Sequence, residues 1–184
     1  MSDAIPRLSL EQMPENLAVI LKPRVQRLGY LGEFFQCAAN QPEALTCFLD
    51  FTEALKHALP ERLTELVVLT VAQLTNNPYE RNQHERLSLK LGFGEDWVRD
   101  VLSLGASVKT LSDTEVAVQR LVTAIIKRWG MGTKDELERV VLLIGHQKAV
   151  AVLMLVGRYV AHSFFVNSLQ LAPPVPPTVS SVTT

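Results

Sequence analysis

Apolar residues recur along this chain at spacings of three and four, and prolines and glycines cut the pattern into helix-length pieces. No interval sustains a period-two alternation closed by hairpin turns, so the pattern predicts an all-α fold. Pro14 to Leu28 reads as a first helix, interrupted or reset at Pro23; Gly29 and Gly32 bracket a loop before a short helix from Glu33 to Ala39. Asn40 and Pro42 supply the start of the next helix, Pro42 to His57, whose core face is marked by Phe48, Phe51 and Leu55.

Pro60 opens a helix in which Leu63, Leu66, Val67, Thr70, Val71 and Leu74 form an apolar stripe running to Thr75. Asn77 is then a natural N-cap and Pro78 a natural first-turn residue, predicting a helix from Pro78 to Leu91 with Gly92 in the left-handed position past its end. The tight connection makes these two an antiparallel helix hairpin. A short helix from Glu95 to Leu104 ends at Gly105. Ser112 with Glu115 and Thr133 with Glu136 both read as capping boxes, the first opening a helix to Trp129 and the second a long one from Lys134 to Leu169, bent near Gly145 or Gly157.

A length of 184 residues makes one domain the default, expected over 1–171, with a flexible Pro/Ser/Thr-rich tail at 172–184. With 47% apolar residues and a net charge of -1, the chain has the balance of a folded globular protein and lacks the basic excess that a nucleic-acid partner calls for. Cys37 and Cys47 form neither a CxxC nor a zinc pattern and are expected to be two small buried thiols. No charged start leads into an apolar segment, so a cytoplasmic location is the expectation. The apolar run from Leu137 to Ala161 is interrupted by Arg139, His146, Gln147, Lys148 and Arg158. A charged group near a bilayer centre costs roughly 2.5–3.5 kcal/mol, so the run is read as a core or subunit-interface helix and no membrane partner is expected.

Candidate chemistry concentrates between Glu65 and His84. Glu80 and His84 are four residues apart, so they share a helix face and can touch; a carboxylate beside an imidazole raises its pKa and fixes its tautomer. Glu65, on the preceding helix, faces His84 if both point into the same groove. The plainer alternative is a solvated ion pair worth tenths of a kcal/mol. Asn77, Tyr79, Arg81 and Asn82 add polar groups nearby, whereas His57, His146 and His162 are read as surface or core histidines. Arg158 and Tyr159 could hydrogen-bond a ligand but are read as structurally paired, and the Glu80–His84 pair lacks the further donors that a metal site needs. No phosphate loop, nucleophile elbow or dinucleotide fingerprint appears, so no cofactor is expected.

The block from Leu59 to Leu66, followed by Asn77, Pro78, Tyr79, Glu80, then His84 and Gly92, resembles the carboxymuconolactone decarboxylase family and its AhpD-like relatives. The resemblance implies an AhpD-like helical bundle built around the helix hairpin, assembled into trimers or hexamers. In the peroxidase branch a Glu precedes a CxxC pair and a His follows the second Cys by four positions. Glu65 and His84 match that pattern, while Asn77 and Glu80 stand at the cysteine positions. Neither can replace a thiolate nucleophile or a resolving thiol, so disulfide-based peroxidase activity is expected to be absent. In the decarboxylase branch the corresponding helix carries Glu, three residues, then His, as Glu80 and His84 do here.

The resemblance thus implies cofactor-free proton transfer on a small carboxylated or lactone-type substrate, with His84 as acid or base and Glu80 and Glu65 orienting it or relaying protons. Tyr79, Arg81 and Asn77 would contact the substrate, Arg81 as a carboxylate anchor. Two rival expectations stand beside this one: an inherited peroxidase activity, and a non-catalytic, oligomeric ligand-binding module in which the three side chains merely satisfy one another.

Overall fold

The computed structural model describes residues 4–105 and 109–179. Among them a short 3₁₀ turn, Leu10–Gln12, precedes eight α-helices: α1 (Glu15–Leu28), α2 (Glu33–Ala38), α3 (Pro42–Ala58), α4 (Glu61–Leu74), α5 (Pro78–Lys90), α6 (Glu95–Leu102), α7 (Asp113–Arg128) and α8 (Lys134–Ser168). The fold is all-helical, as the spacing of apolar residues predicts. The chain divides into two compact units, 1–54 and 55–184, where the sequence reading has a single domain.

The first unit has a small core of its own. Leu17 and Leu21 of α1 are fully buried, and Phe34 packs edge-on against Phe35 and tilted against Phe48. Pro23 sits inside α1 without ending it. The bond it cannot donate would have gone to the carbonyl of Val19, a residue 57% exposed, so water can take its place. On α3 the buried line is Leu45, Leu49, Thr52 and Leu55; Phe48 and Phe51, expected to mark the core face, are half-buried beside it. Cys37 is buried, but Cys47 is exposed, against the expectation of two buried thiols.

The second unit is organised around α4, in which every residue from Leu63 to Ala72 is buried. A helix buried on all sides must be covered on all sides. Here α5, α6, α7 and α8 do the covering. At its end, Asn76 turns into the left-handed region (φ 49) and Asn77 caps α5 by accepting the Glu80 amide, closing the predicted hairpin. Ser112 and Glu115 form the capping box foreseen for α7. Thr133 makes no side-chain cap to α8, because its hydroxyl turns back to the Gly130 carbonyl.

α8 breaks at Gly145, whose φ of 80 and ψ of 166 lie where only glycine is comfortable, while Gly157 keeps helical geometry. By length and composition α8 could cross a membrane: its most apolar 18-residue stretch has a mean hydropathy of 1.9, and only 33% of that stretch is buried. Much of its apolar surface is therefore left over. The expected flexible tail, 172–184, is described only to residue 179, the remainder lying outside the described residues, and this first part is tied to α5. Asn82 donates to the Val175 carbonyl and Arg86 to that of Pro176, while the Glu85 carboxylate accepts from the Thr178 amide and hydroxyl and from the Val179 amide. A proline-rich sequence signals extended backbone, which is what permits these contacts, but it does not announce them.

Candidate active site

α5 has no apolar stripe, yet it buries Tyr79, Glu80, Asn82, His84, Glu85 and Ser88. Buried polar side chains must find partners or lose stability. For Glu80 and His84 the partners lie on α4 and α8.

His84 is held between two carboxylates. Its Nδ1 lies 2.6 Å from Glu65 Oε2, one helix away, and its Nε2 lies 3.0 Å from Glu80 Oε2, one turn back on α5. With an acceptor at each nitrogen, both carry hydrogen and the ring is an imidazolium. Burial alone would push its pKa down; the charge and hydrogen bond of Glu65, then those of Glu80, outweigh it and raise the value to about 9. Glu65, Glu80 and His84, at 3%, 7% and 8% exposure, are too deeply buried to be a solvated surface pair. The three side chains that the sequence singled out do converge.

Glu80 is shared. Its other oxygen, Oε1, lies 2.8 Å from Nε2 of His162 on α8, so the carboxylate bridges two imidazoles. Burial raises its pKa, but His162 and then His84 more than offset that, and the carboxyl is held well below the usual range. His162 moves the other way. Buried, and near the positive charges of Arg158 and His84, it has a lowered pKa in spite of Glu80. It is therefore the neutral member, donating Nε2–H to Glu80. The result is a line of alternating groups, Glu65, His84, Glu80, His162, with only one protonated cation among them.

Tyr159, one turn before His162 on α8, closes the far side. Its hydroxyl lies 3.4 Å from His84 Nε2 and its ring meets the His84 ring edge-on at 5.6 Å. Arg158 stacks its guanidinium 4.0 Å from the Tyr159 ring centroid. His162, Tyr159 and Arg158 were read from the sequence as structural. The missed signal was their spacing: 158, 159, 162 and 163 interrupt an apolar helix at one-turn intervals and so present one polar, buried face.

Asn77, Tyr79 and Arg81, expected to contact the substrate, lie beside other side chains of the protein. Asn77 uses Oδ1 to cap α5 and Nδ2 to donate to Ser163, so both ends of its amide are committed inside the protein. Tyr79 is buried with its ring 5.9 Å from that of His162. Arg81, expected as a carboxylate anchor, has its charge beside Glu85 at 3.5 Å and a hydrogen bond to Gln73. Among the described residues no cluster of three or more His, Cys, Asp or Glu is arranged to hold a metal ion.

The sequence profile of the carboxymuconolactone decarboxylase family matches residues 42–121. That span contains α4, α5 and the Glu65–Glu80–His84 part of the site. No curated protein matches this sequence at a significant level. Among solved structures the chain is similar to a cysteine-to-alanine variant of the debrominase Bmp8 in complex with 2,3,4-tribromopyrrole, with a TM-score of 0.81 at 11% identity, covering 95% of this chain and 94% of that one. It is similar to an uncharacterised peroxidase-related protein with the alkylhydroperoxidase AhpD core from Ralstonia eutropha, with a TM-score of 0.71 at 12% identity, covering 91% and 90%. A protein of unknown function from Agrobacterium tumefaciens, provisionally described as the antioxidant defence protein AhpD, gives a TM-score of 0.69 at 18% identity, covering 76% and 96%. At these identities the likeness is one of fold, and the fold is AhpD-like.

Proposed function

We propose that this chain, whose residues 42–121 match the sequence profile of the carboxymuconolactone decarboxylase family, catalyses acid–base chemistry on a small carboxylated or lactone-type substrate, a decarboxylation or a related lyase or isomerase step. One observation carries the reading: a buried imidazolium between two carboxylates, with a pKa near 9, is a proton donor already loaded at neutral pH. In a decarboxylation the carbon–carbon bond breaks, carbon dioxide leaves, and the electron pair remains on the substrate carbon. His84 then delivers its Nε2 proton to that carbon. Glu65 holds the ring in place through Nδ1, and Glu80, kept ionised by His162, stabilises the imidazolium before transfer and helps it to reload.

The test is incubation with a panel of small carboxylated lactones in deuterium oxide, following carbon dioxide release and deuterium at the vacated carbon. Turnover is expected, with His84→Ala lowering it by about 10²–10⁴. Absence of turnover, or turnover indifferent to His84→Ala, overturns the proposal. If Glu80→Gln alters the melting temperature alone, the cluster is a structural network. Hydroperoxide reduction by a dithiol that depends on Cys37 or Cys47 would establish the peroxidase reading instead, although those residues lie on α2 and α3, outside the elements that build this cluster.

Self-association belongs to the same proposal. Val150, Met154 and Phe164 are 52%, 47% and 55% exposed, and with Gly157 and Ala161 between them they follow the alternating four-and-three spacing of a helix–helix seam. A second copy of this chain is the occupant that the family resemblance implies, and small residues at the centre let two such helices approach closely.

A further inference from the structure

A second site lies one turn of α4 before Glu65. An open surface groove of about 560 Å³ lies between the start of α4 and the start of α7, lined by Arg62, Leu63, Lys109, Thr110, Leu111 and Ser112, together with Thr114 and Glu115. Arg62 is held there in one orientation. Its Nε donates to Glu115 Oε1 at 2.8 Å, and its guanidinium carbon lies 4.8 Å from the Trp97 ring centroid and 5.2 Å from that of Phe93.

Glu115 is saturated: Oε1 also takes the Trp97 indole N–H, and Oε2 takes the amide and hydroxyl of Ser112. These donors hold its carboxyl below the usual range against the burial that raises it. The carboxylate therefore fixes Arg62 by one edge and has its remaining capacity spent elsewhere. Among the described residues, the two terminal nitrogens of Arg62 have no partner. The ammonium of Lys109, on the same wall, makes no ion pair within 4 Å among them, while its charge acts on Asp100, which accepts the Lys109 amide.

A guanidinium pinned at Nε and stacked on aromatic rings, with its fork open, is preorganised for a planar oxyanion; little side-chain freedom remains to be lost on binding. Leu63 and Leu111 give the wall an apolar part, and the volume lies within the range of small-molecule sites. We propose that this groove binds a small organic carboxylate, its charge on the Arg62 fork and on Lys109 and its apolar body against the two leucines. The site is separate from the Glu65–His84–Glu80 cluster and does not depend on the reaction proposed for it.

Benzoate is a suitable probe, titrated into the full chain at fixed pH and ionic strength while the indole N–H resonances of the two tryptophans are followed by NMR. Trp97 donates to Glu115 beside the groove, whereas Trp129 lies at the end of α7 and serves as internal control. The expected result is a saturable shift of the Trp97 resonance with a dissociation constant of about 10 mM, the affinity of a ligand of this size, and no shift of Trp129. Lys109→Ala should weaken binding roughly two- to fivefold, the worth of one exposed charge. Arg62→Lys should weaken it by about tenfold, because the charge stays and the fork is lost. Should Arg62→Lys fail to fold, Lys109→Ala decides. His84→Ala should bind benzoate like the wild type. No saturable shift, binding of inorganic phosphate but not of benzoate, unchanged affinity in Lys109→Ala, or loss of binding in His84→Ala would each overturn the proposal.

Discussion

At His84 the folded protein holds a proton more tightly than the unfolded chain does. Its pKa is about 9 folded and 6.5 otherwise, so its stabilisation is complete below pH 6.5 and is lost as the pH rises toward 9. The size is up to about 3 kcal/mol. His162 has the opposite sign: its folded pKa is depressed, so the unfolded chain takes up protons first and stability falls as the pH drops below 6.5. Thermal denaturation should therefore show a maximum near pH 6.5 and a fall of several degrees by pH 9.5. In His84→Gln the alkaline fall should flatten while the acid limb stays. The first of these groups was legible in the sequence because Glu80 and His84 sit four apart on one helix. The second was not, since the Glu80–His162 pair joins residues 82 positions apart and no local spacing reports it.

The helices themselves were legible wherever the chain carries its own punctuation. Asn77 with Pro78, Ser112 with Glu115, and Gly92 at φ 81 all mark real ends. Thr133 with Glu136 has the letters of a capping box without the bonds, because Thr133 adopts φ -102 and ψ 16 rather than extended backbone. Gly145 is the most exacting of these positions. At φ 80 and ψ 166 a β-carbon meets nothing within 4 Å, so the cost of a side chain is purely conformational. Gly145→Ala should destabilise the protein by about 1–3 kcal/mol in a denaturant titration, with no change in core packing. The tail presents the reverse case, an element whose sequence says extended and whose placement depends on a distant carboxylate. Glu85→Ala removes the acceptor for Thr178 and Val179, and faster exchange of those two amides should follow, with the exchange of α4 unchanged.

On the scale of the whole molecule, burial is concentrated on α4 while α8 carries apolar residues to the surface. The Val150–Met154–Phe164 line should hold copies of the chain together, and light scattering of the wild type at micromolar concentration should show an oligomer. Met154→Lys with Phe164→Glu should shift it to monomer with the helical signal retained; a wild-type monomer would count against the seam. α5 has a different consequence at this scale. A helix without an apolar stripe gains little when the chain first collapses, because its bonds form only once α4 and α8 already stand at the right spacing. We expect assembly of the proton-bearing cluster to come late in folding and its loss to come early under stress, so that in a denaturant series the proposed activity disappears before the helical signal does.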